Sequence, residues 1–165
     1  MTTLSLYDSK YKGSDGKTYN SDFNGNYAFN LLGGYEWKLK PAKSGSEQTI
    51  IFGGKFTYGG GKRYSPADTL KTIQRAEYTA SNEGRNSLQF RPYLRFDLKL
   101  GYKIDTKRMT HEFALDIVNL LNIQNYLTMS YSLDPKTSDL ILFPQTQLGR
   151  LTLFYYKLEF GFSRR

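Results

Sequence analysis

The chain has 165 residues, among them 14 Tyr, 11 Phe, one Trp and 15 Gly, with no Cys and a formal net charge of +8. The missing cysteines exclude disulfides and thiolate metal centres, and no run of about 18 apolar residues exists to form a transmembrane helix. Its 23 Lys and Arg are interleaved with 15 Asp and Glu rather than gathered in blocks, which argues against a nucleic-acid partner.

The opening "MTTLSLYDSKYKG" has neither the basic n-region nor the apolar h-region of a signal peptide, so an exported parent is expected to carry its leader upstream of Met1. The first strand is expected over 2–13, where Leu4 and Leu6 begin an apolar face that dissolves into polar residues. Clear alternation starts at "NYAFNLLGGYEWKL" (26–39). Tyr27, Phe29, Leu31, Tyr35 and Trp37 share one parity; Asn26, Asn30, Glu36 and Lys38 share the other. Over 49–64, Ile50, Phe52, Phe56 and Tyr58 oppose Lys55 and Thr57. "RPYLRFDLKLGYKI" (91–104) is the most regular stretch: Leu94, Phe96, Leu98, Leu100, Tyr102 and Ile104 oppose Tyr93, Arg95, Asp97, Lys99 and Lys103. Over 111–122, Phe113, Leu115 and Ile117 oppose Glu112, Ala114 and Asp116. Over 151–162, Phe154, Tyr156, Leu158, Phe160 and Phe162 oppose Tyr155, Lys157 and Glu159. A period of two at these lengths predicts six β-strands, each with one apolar and one polar face.

The spacers alternate in length. Segments 40–48 and 105–109 are short and turn-like, whereas 13–25, 65–90 and 123–149 are long and polar. Successive antiparallel strands put alternate connections at opposite ends of a sheet, so short turns and long loops segregate as they do in outer-membrane barrels. Within the last long spacer, "DPKTSD" (134–139) is expected at a hairpin tip flanked by "YLTMSYSL" and "LILFP". Two arrangements fit the faces. In a membrane wall the apolar set, namely Phe29, Leu31, Phe52, Phe56, Phe96, Leu98, Leu100, Phe113, Leu115, Phe154, Tyr156, Leu158 and Phe160, meets lipid. The charged set, namely Glu36, Lys38, Lys55, Arg95, Asp97, Lys99, Glu112, Asp116, Lys157 and Glu159, then lines a wet lumen, its mixed signs pairing across strands. In a soluble all-β binding module the apolar faces instead form a sandwich core.

The ordered set "YDSKYKGSDG", "NGNYAFNLLGGYEW", "GGKFTYGGGKRYSPAD", "RPYLRFDLKLGYKI", "THEFALDIVNLLNIQN" and the final "LFYYKLEFGF" resembles the C-terminal end of Bacteroidetes-type TonB-dependent outer-membrane receptors. The resemblance runs from about residue 3 to 162. It implies an all-β, antiparallel up-and-down transmembrane β-barrel wall. The chain would supply about six strands of a barrel of about 22, and would form an open curved sheet by itself. Residues 1–165 would then be the C-terminal part of a barrel, without plug domain or TonB box. The implied partners are outer-membrane lipid, the barrel-assembly machinery, TonB only through a plug region, and an extracellular ligand (siderophore, glycan or peptide). The implied location is the bacterial outer membrane. Phe160 and Phe162 correspond to the family's C-terminal assembly signal, although here Ser-Arg-Arg follows Phe162.

Candidate chemistry is sparse, and neither an enzyme nor a cofactor is expected. His111 is the only histidine and has no patterned Cys, His or carboxylate beside it, so a structural place at a strand start is expected. "GGKFTYGGGKRY" lacks the G-x-x-x-x-G-K-[ST] spacing of a phosphate loop; its glycines read as relief of crowding within a strand. "DPKTSD" lacks Ca²⁺-loop spacing. Loop aromatics (Tyr19, Phe23, Tyr64, Tyr78, Phe90, Tyr126, Tyr131 and Phe143) are the candidates for ligand contact, against the alternative that they pack loops together.

Overall fold

The computed structural model describes residues 1–40, 45–134, 136–137 and 139–161. Six strands form one antiparallel meander: β1 (Thr2–Leu6), β4 (Tyr27–Lys38), β5 (Glu47–Gly59), β8 (Tyr93–Asp105), β9 (Met109–Val118) and β12 (Leu151–Phe160), each hydrogen-bonded to the next in that order. The sheet does not close, so β1 and β12 are free edges. The remaining elements lie inside the long connections. β2 (Lys10–Lys12) pairs with β3 (Thr18–Asn20), β6 (Arg63–Tyr64) with β7 (Leu88–Gln89), and β10 (Tyr126–Leu133) with β11 (Leu140–Thr146); α1 spans Thr69–Arg75.

Several boundaries differ from expectation for visible reasons. The expected strand over 2–13 stops at Leu6 because Tyr7 bonds to Asn26 and the chain turns into the separate β2–β3 hairpin. The expected strand over 49–64 ends at Gly59. There the chain passes so close to its neighbours that a Cβ on Gly60 would lie 1.6 Å from the Gly25 carbonyl oxygen, and one on Gly61 2.1 Å from that of Phe90. These glycines permit a close backbone crossing rather than a phosphate loop. The expected strand over 111–122 ends at Val118, since Asn119 and Asn122 adopt left-handed φ values of 54° and 53°. The flanks of 134–139 pair as expected, β10 with β11, while Pro135 and Ser138 of the expected tip lie outside the described residues. The helix α1, in a spacer read as polar loop, starts at Asp68, whose carboxylate accepts from the Lys71 N–H at 3.1 Å, and stops at Ala76 with φ 50°. Phe162 lies outside the described residues.

Register assigns the faces. Leu31 is opposite Phe56, which is opposite Phe96; Phe52 is opposite Leu100, which continues through Leu115 to Phe154. Tyr102, Phe113 and Tyr156 form a further row. On the other face Lys55 stands opposite Asp97, Lys99 opposite Asp116, and Glu112 between Lys103 and Lys157. In the middle of β4 and β5 the alternation is interrupted by Gly33 opposite Gly54 and Gly34 opposite Gly53. A Cβ on Gly33 would meet nothing within 4 Å.

Among the described residues no layer covers the apolar face. Trp37 is 63% exposed, Phe52 51% and Phe154 71%, and among the described residues the buried hydrophobic side chains are Phe90 and Ala114. The chain exposes 11874 Å², against about 8,400 Å² for a compact folded monomer of this length. Most buried residues are polar and sit at the end of the sheet where the three long connections emerge: Asn24, Ser65, Thr72, Asn86, Asn119 and Asn125. The packed part of the molecule is this cap, not the sheet.

Candidate functional site

The charged face holds every residue of the expected charged set, and Glu36, Lys38, Lys55 and Arg95 share it with Asp97, Lys99, Glu112, Asp116, Lys157 and Glu159. Their pairing differs from the expected cross-strand ladder. Arg95–Asp97 (2.8 Å), Lys103–Asp105 (3.1 Å) and Lys157–Glu159 run along a single strand, two residues apart. Among the described residues one pair crosses strands, Lys99–Glu112 at 3.6 Å, and Tyr155 joins it by donating to Glu112 at 3.0 Å. Asp97, opposite Lys55, accepts from the Arg95 guanidinium through one oxygen and from the Asn119 N–H through the other. His111 lies on the apolar face, its Nδ1 2.7 Å from the Tyr156 hydroxyl, with no metal-ligating group of three or more among the described residues.

The cap is built by asparagines. Asn24 is fully buried; it accepts from the Ser9 N–H and donates to Asp8 and Asn20 at 2.8 Å each. Asn86, at φ 53°, donates to the Asn20 carbonyl and to Asp22 at 2.7 Å, tying the connection after β5 to the one after β1. Asn125 accepts from the Leu94 N–H (3.0 Å) and donates to the Leu94 carbonyl (2.9 Å), taking the place of a neighbouring strand at the start of β8. Asn119 closes a loop on Ile123 through both atoms of its amide. These residues were hidden in the sequence because asparagine in a polar spacer reads equally as a turn former.

Aromatics complete the packing. Tyr64 stacks on Phe90 with ring centroids 4.3 Å apart, Phe90 meets Tyr126 edge-on at 5.7 Å, and Arg91 lies 4.2 Å over Tyr126. The Tyr78 hydroxyl donates to the Ser65 carbonyl at 2.6 Å, and burial pushes its phenol above the ordinary value. Tyr131 lies in β10 and Phe143 in β11, outside this cluster. Asp8 is held below the ordinary carboxyl value by its hydrogen bonds from Lys10 and Asn24, and Asp15 by the Tyr19 hydroxyl and the Lys17 N–H.

Between the three connections lies an open cup of about 650 Å³. Its floor is Phe90, Ser65 and Asn86; its walls include Tyr11, Tyr64, Leu127 and the cations Lys62, Arg63 and Arg85. A sequence scan for loop aromatics finds Tyr64 and Phe90 but passes over these cations; Lys62 and Arg63 are adjacent in the chain, whereas Arg85 lies on the far side of α1 and joins them only when β6 and β7 pair. The glycine quartet also leaves shallow dents in the sheet, about 300 Å³ on the charged side and about 460 Å³ on the apolar side. Compared with protein-family models, curated proteins and solved structures, the chain matches none.

Proposed function

We propose that this chain is part of the wall of a TonB-dependent outer-membrane receptor, with its apolar face toward lipid, its charged face toward the lumen and its cap toward the cell exterior. The observation that carries the reading is a six-stranded antiparallel sheet with an uncovered apolar face and three long connections at one end. A bilayer supplies what the described residues lack, an apolar medium against Phe52, Phe154 and Trp37. A soluble module would need a second layer there, since large exposed apolar patches associate in water. Within such a wall the role is passage and recognition rather than chemistry. The lumen charges flank the route of an imported ligand, and the cap meets that ligand first. β1 and β12 pair with further strands of the same wall, because lipid leaves an open edge unsatisfied.

The test is topological. The chain contains no cysteine, so Glu83→Cys in the connection after β5 and Lys107→Cys in the turn after β8 are unique labels. In intact cells carrying the sheet in the outer membrane, an impermeant thiol reagent is expected to modify position 83 and spare 107. Modification of 107 alone inverts the orientation, and equal modification of both in a cytosolic fraction removes the receptor reading.

A further inference from the structure

We infer that the cup between the long connections binds a small, multiply anionic ligand with a flat ring, the anionic groups on Lys62, Arg63 and Arg85 and the ring against Tyr64 and Phe90. The inference rests on the reading of the cap as the ligand-facing end, but not on the presence of a membrane. Its basis is a charge imbalance that the fold maintains. Three cations line the cup against one carboxylate, Asp22, which accepts from the Asn86 amide at 2.7 Å and leaves the lining net positive. None of the three cations is ion-paired among the described residues, although six ion pairs occur elsewhere in them.

They are held by uncharged groups instead. Lys62 sits 4.8 Å over the Phe23 ring and Arg85 5.6 Å over Tyr19. Arg63 donates through Nε to the Asn24 carbonyl at 2.9 Å and through one Nη to Asn26 at 3.1 Å. Rings and carbonyls orient a cation without cancelling its charge, so all three remain charged beside the cup. Three like charges against a single counter-charge, Asp22, leave a positive excess that repels itself, and a bound anion relieves that repulsion. Guanidinium groups add planar donors suited to carboxylate or phosphate oxygens. The cup is also more than a basic patch: the stacked Tyr64–Phe90 pair joins its wall to its floor, and Leu127 lines its wall. Charge at the rim and apolar surface below select a ligand that carries both.

Three probes separate these elements on the full chain in detergent micelles. Benzene-1,3,5-tricarboxylate has charge and ring, its triamide has the ring alone, and inorganic pyrophosphate has charge alone. The tricarboxylate is expected to bind tightest, with affinity falling as salt is raised. Lys62→Gln and Arg85→Gln should each weaken it about tenfold, the loss of one charge-assisted contact, while Lys107→Gln at the opposite end of the sheet should leave it unchanged. Equal binding of the triamide, equal binding of pyrophosphate, or indifference to both cup variants overturns the inference. Absent binding in a protein that labels correctly at position 83 defeats the cup alone. Binding in a protein that labels wrongly defeats the receptor reading alone.

Discussion

Asn125 shows how one side chain can stand in for a strand. Its amide exchanges both hydrogen bonds with the Leu94 backbone, at the point where β8 leaves the cap. Asn125→Ala should therefore cost about 1–3 kcal/mol, the penalty for leaving a shielded N–H and C=O unpaired, and hydrogen exchange at Leu94 should accelerate in the variant. Asp8 contributes in a pH-dependent way. Its folded carboxyl value is depressed, first by Lys10 and then by Asn24. A depressed value stabilises above the unfolded value, and the contribution is lost as pH falls through the folded one. Amide protection factors over residues 8–24, taken against the intrinsic exchange rate at each pH, should fall on acidification below about pH 4, and Asp8→Asn should flatten that dependence. Neither asparagine nor aspartate announced these roles in the sequence. A polar residue in a polar spacer carries no periodicity, and its partners lie on other connections, such as Asn86 and Asn20, 66 residues apart.

At the level of elements, five of the six sheet strands, β4, β5, β8, β9 and β12, were legible because a period of two, interrupted in β4 and β5 around the glycines, spans 10 to 13 residues. Of the elements in the long connections, the β10–β11 hairpin was legible and the others were not. β2, β3, β6 and β7 have only two or three residues each, too few to alternate, and the seven residues of α1 make two turns with one buried side chain, Thr72. The faces were legible as sets, but not the ion pairing, because side-chain reach along a strand is invisible in a parity count. What surrounds the faces is open to a direct test in bilayers. Leu98→Arg on the apolar side of β8 should destabilise the inserted sheet by about 2–4 kcal/mol. Lys99→Leu, one residue away on the charged side, should cost about 1 kcal/mol or less. The reverse order in a bilayer unfolding assay would place the core on the side here assigned to lipid.

For the whole molecule, the balance of buried and exposed surface governs behaviour in water. Folding stability comes mainly from apolar burial, and here the packed region is a polar cap while the sheet keeps one greasy face and two open edges. The chain in plain buffer should self-associate through those surfaces. Size-exclusion chromatography with circular dichroism is expected to give β-rich oligomers or aggregate that detergent disperses. A monodisperse monomer with a cooperative melting transition in plain buffer would instead favour the soluble module.

The glycine quartet in β4 and β5 has a mechanical consequence. A strand pair resists bending through the side chains that crowd its concave side, and where Gly33, Gly34, Gly53 and Gly54 meet in register there are none. The β4–β5 pair is expected to bend easily along that line, while β8 beside it places Leu98 and Lys99 at the same level. A wall rolled into a cylinder must concentrate its curvature somewhere, and glycine corners are where sheets do so at low cost. The fold line runs between Leu31–Phe56 on one side and Tyr35–Phe52 on the other, so its position decides which aromatic rows splay apart and which close together when the sheet curls.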